Sequence, residues 1–226
     1  MIIVRSPFRI PLAGGGTDLD FYYKKRGGDL ISATIDQYVY ILISKRSLDK
    51  KILIQNTGIQ FSDNVKKIKN KLIREVLSHL KIKNSIQIAN ISTLPTQTGL
   101  GSSSTLTVGL IKGLSKIKNQ NINKNKLAKM AYIIERKKLK FDGGWQDQII
   151  ASYGGIQRIK INKKGKFKSN EIKIKNNNLL KLENHFILVY TEETRNSEKI
   201  ITEQRKNDKK IIHNYDKIKA KVKIME

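Results

Sequence analysis

The stretch "PTQTGLGSSSTLTVGL", residues 95 to 110, constrains the fold of this chain more than any other. Leu106, Leu110, Ile111 and Leu114 recur at i, i+4, i+5 and i+8, which predicts one apolar face of a helix beginning near Ser102 or Ser103. Gly99 and Gly101 then lie just ahead of a helix N-terminus, with Pro95 before them. Glycine lets the backbone approach a ligand closely, and the first helical turn carries N–H groups without partners. The helix dipole adds about half a positive charge at that end. Together these make an anion site, and nucleotide phosphates are frequent occupants. The serine hydroxyls can cap the helix, and one can also ligate Mg²⁺. The stretch lacks the Gly-Lys-Ser/Thr ending of a Walker loop and the closing glycine of a nucleophile elbow. A capped helix after a glycine turn, with no ligand at all, satisfies the same residues.

Around this stretch the chain alternates between two periods. "IIVRSPFRI", "DLISATIDQYVYILISKR" (29–46), "KKILIQN" (50–56), "SIQIANI" (85–91), "YGGIQRIKI", "EIKIK" and "HFILVYTE" are predicted strands. "NVKKIKNKLIREVLSHL", "NKLAKMAYIIERKKL" and a long polar C-terminal stretch from "NSEKII" to "KVKIM" are predicted helices. Strands, then helices, then strands again point to an α+β protein. The Lys- and Asn-rich stretch 162–178 is the nearest thing to a boundary.

The formal charge of +26 raises the question of a nucleic-acid partner. Of the 45 basic residues, 36 are Lys and nine are Arg, although Arg is the better bidentate reader of phosphates and bases. Few aromatics accompany the basic clusters, so no nucleic-acid partner is expected and RNA binding stands as a distant alternative. The absence of cysteine excludes disulfides and thiolate metal sites. No apolar run reaches the roughly 18 residues of a membrane span, so a cytoplasmic protein without a membrane partner is expected.

Three other segments carry chemistry. In "RSPFRIPLAGGGTDLDFY", Gly15 and Gly16 precede Thr17 and Asp18, which offers close backbone approach and acceptors for hydroxyl groups, or simply a tight turn. Glu135 lies in a predicted helix, as a metal ligand or as a solvated position. In "DGGWQDQ", Gly143 and Gly144 precede Asp147, which suits a base, a metal ligand or a helix cap.

These segments, in this order, resemble the GHMP kinase superfamily of small-molecule kinases, and the form "RSPFRIPLAGGGTDLDFYYKKRGGDLISATIDQYVYI" is similar to its heptose 7-phosphate kinases. The resemblance implies a GHMP kinase N-terminal domain with a ribosomal-protein-like left-handed βαβ unit over residues 1–183, and the start of a ferredoxin-like C-terminal domain over 184–226. It implies ATP and Mg²⁺ as cofactors and a small-molecule sugar phosphate as substrate. Asp147 matches the catalytic aspartate and Arg9 the basic residue beside it. Pro95, Gly99, Leu100, Gly101, Ser102, Ser103 and Ser104 match the ATP phosphate loop. Glu135 and Ser103, or its neighbour Ser102, match the Mg²⁺ ligands, and Gly15, Gly16, Thr17, Asp18 and Gly144 match the sugar-contacting positions.

The resemblance also implies phosphoryl transfer to the anomeric hydroxyl of a heptose 7-phosphate, toward nucleotide-activated heptose and surface polysaccharide. A fucose- or galactose-type kinase is the alternative. Arg195, Lys24 and Lys25 are candidates for the substrate's own phosphate. The family's third, glycine-rich motif has no counterpart here, so a C-terminally truncated chain is expected, and an inactive kinase remnant is a further alternative.

Overall fold

A computed structural model of the protein describes residues 1–95, 98–192, 197–206 and 208–225. Its centre is one long hairpin. β1 (Ile2–Ala13) runs antiparallel to β2 (Gly28–Lys45), and the helix α1 (Asp20–Arg26) fills the connection. The register of the pair slips between Pro7 and Arg9. β3 (Ile52–Gln55), β4 (Ile59–Ser62), β5 (Ile86–Ser92), β6 (Ile156–Ile161) and β7 (Phe167–Glu171) complete a seven-stranded sheet ordered β4-β3-β5-β2-β6-β7, with β1 also on β2. Only β3 and β5 are parallel among the described pairs, and the crossover between them holds α2 (Lys71–His79).

The remaining helices are α3 (Ser102–Ile117), α4 (Lys124–Tyr132), α5 (Gln146–Tyr153), α6 (Asn176–Glu183), α7 (Ser197–Lys206) and α8 (Asp208–Lys221). Asparagines set two of the starts. Asn70 accepts from the Leu72 and Ile73 amides at α2, and Asn123 from the Lys126 amide at α4. Helix α3 lies directly on the central hairpin because Gly109 and Gly113 face it. A Cβ on either would come under 3.0 Å from Ile41 or Ile43. Val108, Leu110, Ile111 and Leu114 of α3 join Val4, Phe8, Ile41 and Ile43 in the main core. That packing fixes where the N-terminus of α3 points.

The single helix expected over residues 125–139 is interrupted. After α4 the chain widens into a π turn over Ile133–Lys138, with the Leu139 amide bonded to the Ile134 carbonyl at 3.0 Å. Three other expectations are corrected. The helix expected from Asn64 onward is a 3₁₀ turn over Val65–Lys67 and then α2, restarted by the Asn70 cap. Only Glu171 of "EIKIK" belongs to β7, which begins earlier at Phe167 and ends there. "HFILVYTE" is not a strand: Phe186 to Tyr190 are exposed, Ile187 by 87%, and no described strand pairs with them. The C-terminal stretch is helical as expected in α7 and α8, and its end packs on the domain. Tyr215 and Val222 are buried, Tyr215 with Leu19 and Tyr22.

Candidate active site

A cleft of about 1010 Å³ opens between the end of β1, the N-terminus of α3, the π turn, the start of α5 and helices α7 and α8. Arg9 lines it. Its Nε donates to Asp147 Oδ1 at 2.7 Å, its Nη2 lies 2.6 Å from the same oxygen, and its Nη1 donates to the Gly99 carbonyl at 2.8 Å. The Arg9 backbone N–H donates to the Leu100 carbonyl at 3.3 Å. One residue of β1 therefore holds both the glycine loop and the aspartate in the first turn of α5.

The loop itself is built for close approach. Gly99 and Gly101 have φ of 75° and 83°, a left-handed conformation that side chains resist. Gly101 is the N-cap of α3, and no side chain caps that helix. The expected serine cap is thereby corrected: the hydroxyls of Ser103 and Ser104 are spent elsewhere, on Glu135. Gly99, Gly101 and Ser102 to Ser104 all line the cleft.

Glu135 is fully buried. Its Oε1 accepts from Ser103 Oγ at 2.6 Å and Thr107 Oγ1 at 2.9 Å, and its Oε2 from Ser104 Oγ at 2.6 Å and from Gln148 Nε2. A solvated helix position is excluded. Glu135 does not itself line the cleft but lies directly behind Ser103, which does, so carboxylate and hydroxyl form an oxygen-only donor pair at the foot of the glycine loop. A hard cation that keeps most of its coordination for water and phosphate suits that pair.

The opposite wall is the turn after β1. Gly15, Gly16, Asp18 and Gly144 line the cleft, with Gln146 and Tyr215. Asp18 is buried and its Oδ2 accepts from the Gln146 amide at 2.9 Å. Burial pushes its carboxyl above the ordinary value of 3.8. The Gln146 amide lowers it, the Asp147 charge adds to the rise, and Arg9 opposes it more weakly. Gly144 has to be glycine here, since a Cβ would come under 3.0 Å from the Asp18 carboxylate. Trp145 stacks on Tyr132 with ring centroids 3.5 Å apart, which pins the segment that presents Asp147.

Residues 64–155 match the family described as GHMP kinases N terminal domain. The chain carries a GHMP kinase N-terminal domain. It is 33% identical over 214 residues to the D-glycero-alpha-D-manno-heptose 7-phosphate kinase of Campylobacter jejuni, covering 88% of this chain and 62% of that protein. It is similar to a crystal structure of a D-glycero-D-manno-heptose 1-phosphate kinase from Bacteroides thetaiotaomicron, with a TM-score of 0.73 and 27% identity over 77% of this chain and 61% of that one. It is also similar to a putative sugar kinase from Campylobacter jejuni, with a TM-score of 0.73 and 29% identity over 97% of this chain and 74% of that one. The chain thus spans about three fifths of the length of the curated heptose kinase it matches.

Within this GHMP domain most of the singled-out residues converge on the cleft, and some do not. Thr17 is buried behind the wall, where its hydroxyl donates to the Gly14 carbonyl at 2.7 Å and accepts from the Asp29 amide at 3.2 Å. It holds the turn rather than facing a ligand. Leu100 packs against the main core, and Pro95 lies outside the cleft. Lys24 pairs with Asp20 at 3.0 Å on α1, and neither Lys24 nor Lys25 lines the cleft. Arg195 lies outside the described residues. Sequence reasoning passed over Thr107, Arg136, Gln148 and Tyr215. Thr107 could have been found, since it lies four residues after Ser103 on the same helix face. The other three are joined to the site only by the folded chain.

Proposed function

We propose that this GHMP domain is the catalytic part of an ATP-dependent sugar kinase. The observation that carries the reading is the Arg9 guanidinium, bonded at once to the glycine loop and to Asp147. A nucleotide's phosphates on Gly99, Gly101 and the first turn of α3 would then lie beside the only carboxylate that Arg9 touches among the described residues. Asp147 accepts the proton of the sugar hydroxyl. The freed oxygen bonds to the terminal phosphorus of ATP as the bond to the bridging oxygen breaks, and ADP leaves. Such transfers need little covalent help, so positioning and neutralisation of charge carry most of the acceleration.

Glu135 and Ser103 would hold Mg²⁺, which neutralises charge on the phosphate oxygens when bound. Gly15, Gly16, Asp18 and Gly144 would form the sugar wall. The sugar we favour is a heptose 7-phosphate, phosphorylated on its anomeric hydroxyl, because proteins named as heptose phosphate kinases are among the relatives.

The test is ADP release over a panel of sugars and sugar phosphates, with Asp147→Asn beside wild type. The expected result is turnover with a heptose 7-phosphate, lowered by about 10²-fold or more in the variant. Turnover unchanged by Asp147→Asn removes Asp147 as the base. If the wild type neither turns over a sugar nor binds ATP with Mg²⁺, the kinase reading falls.

A further inference from the structure

Three partly buried arginines among the described residues are matched to carboxylates: Arg9 to Asp147, Arg158 to Asp29 and Arg46 to Asp49. Arg136 is not. Its Nε donates to the Gly144 carbonyl and its Nη1 to the Asp142 carbonyl, each at 3.2 Å. Its Nη2 lies 4.0 Å from Glu135 Oε2, beyond hydrogen-bond reach, and that carboxylate already accepts from four side chains. The side chain is only 11% exposed and lines the cleft. Gly143 makes room for it. With φ of 149°, Gly143 lies against the guanidinium so closely that a Cβ would come under 3.0 Å from it.

The fold has therefore set a guanidinium at the cleft wall and left its charge without a hydrogen-bonded anion. A desolvated charge whose nearest carboxylate stands 4.0 Å away is better satisfied by an anion that bonds to it directly. The free donors form half of a planar fork, which suits phosphate oxygens far better than a lysine would. We propose that Arg136 is a second phosphate-reading arginine of this site. It rests on the kinase reading above and extends it, since Arg9 is already committed to Asp147 and Gly99. The phosphate has two possible sources, the nucleotide's terminal phosphate and a phosphate carried by the sugar.

Binding measurements separate them. Wild type and Arg136→Gln are titrated, with Mg²⁺, with ADP, with the β,γ-imido analogue of ATP, with a heptose 7-phosphate and with the same heptose lacking phosphate. Arg136→Gln is expected to weaken one phosphate-bearing member by about tenfold or more while sparing its partner lacking that phosphate. Loss confined to the ATP analogue assigns the terminal phosphate, and loss confined to the heptose phosphate assigns the sugar's own. Unchanged ratios in both pairs in a folded variant overturn the proposal. The wild-type protein supplies a reading that needs no variant: the Arg136 Nε–H resonance shifts with the phosphate-bearing member of one pair only. A resonance that responds to neither pair, in protein that binds nucleotide, overturns the proposal and leaves the kinase reading standing. Protein that binds no member of either pair overturns both.

Discussion

Arg9 and Asp147, 138 residues apart in sequence, meet at 2.7 Å in the lining of the cleft. No local pattern brings them together. The meeting requires β1 to lie under α3 and α5 to begin at the same height.

Arg9→Met removes that pair and the bond to the Gly99 carbonyl together. The expected outcome is a fall in kcat of about 10²-fold or more, in line with the loss of one oriented charged donor. Nucleotide affinity should fall as well, because the loop loses its clamp. Steady-state kinetics and ADP titration check both.

Gly144→Ala drives a methyl group into the Asp18 carboxylate. Overpacking of this kind costs about 1–3 kcal/mol, which for a chain of this size lowers the melting temperature by several degrees. A melting curve that matches wild type would remove the packing argument.

Asp18 gives a pH signature. Its carboxyl is raised in the folded protein, mainly by burial, against an ordinary value of 3.8. Above 3.8 the unfolded chain releases this proton while the folded one keeps it, so folding stability falls as pH rises toward the raised value and then levels. Asp18→Asn, which still offers an acceptor to the Gln146 amide, removes the penalty. The variant should be more stable than wild type at pH 7, with the gap closing as pH falls toward 3.8. Denaturant unfolding across pH measures it, and a gap that persists at low pH contradicts the assignment. Sugar affinity should fall in the same variant.

Tyr215 ties α8 to the cleft. Its ring lies against Gly16, edge-on to Tyr22 at 5.6 Å, and burial pushes its hydroxyl up to about 12. Tyr215→Ala should cost about 3 kcal/mol and raise hydrogen exchange in α8 and around Gly16 before the sheet responds. Uniform exchange changes would argue against a local anchor.

The parts of this site that could be read in the sequence were local ones. A glycine loop running into an apolar period specifies a helix start and its ligand class within one window, and paired glycines before Asp18 and Asp147 mark close approach. The hydrogen-bonded group around Glu135 could not be read that way. Its donors come from α3 and α5, and the π turn that carries Glu135 has no simple period. "HFILVYTE" shows the converse case: strong strand propensity does not make a strand of a segment that no described strand pairs with.

The long strand β2 carries a consequence for how the protein is made. Its first half pairs with β6, Gly28 against Ile161, and its second half with β5, Lys45 against Ile86. A chain emerging from the ribosome can therefore close one half of β2 early, while the other half waits for more than a hundred further residues. The sugar wall belongs to that waiting half, since Gly14 lies against Leu30 and Val222. The nucleotide side of the cleft is expected to gain its backing well before the acceptor side does. Nascent chains arrested before β6 emerges should show β2 paired to β1 along the hairpin and to β5 at its later half, with the β6 edge of its first half still open.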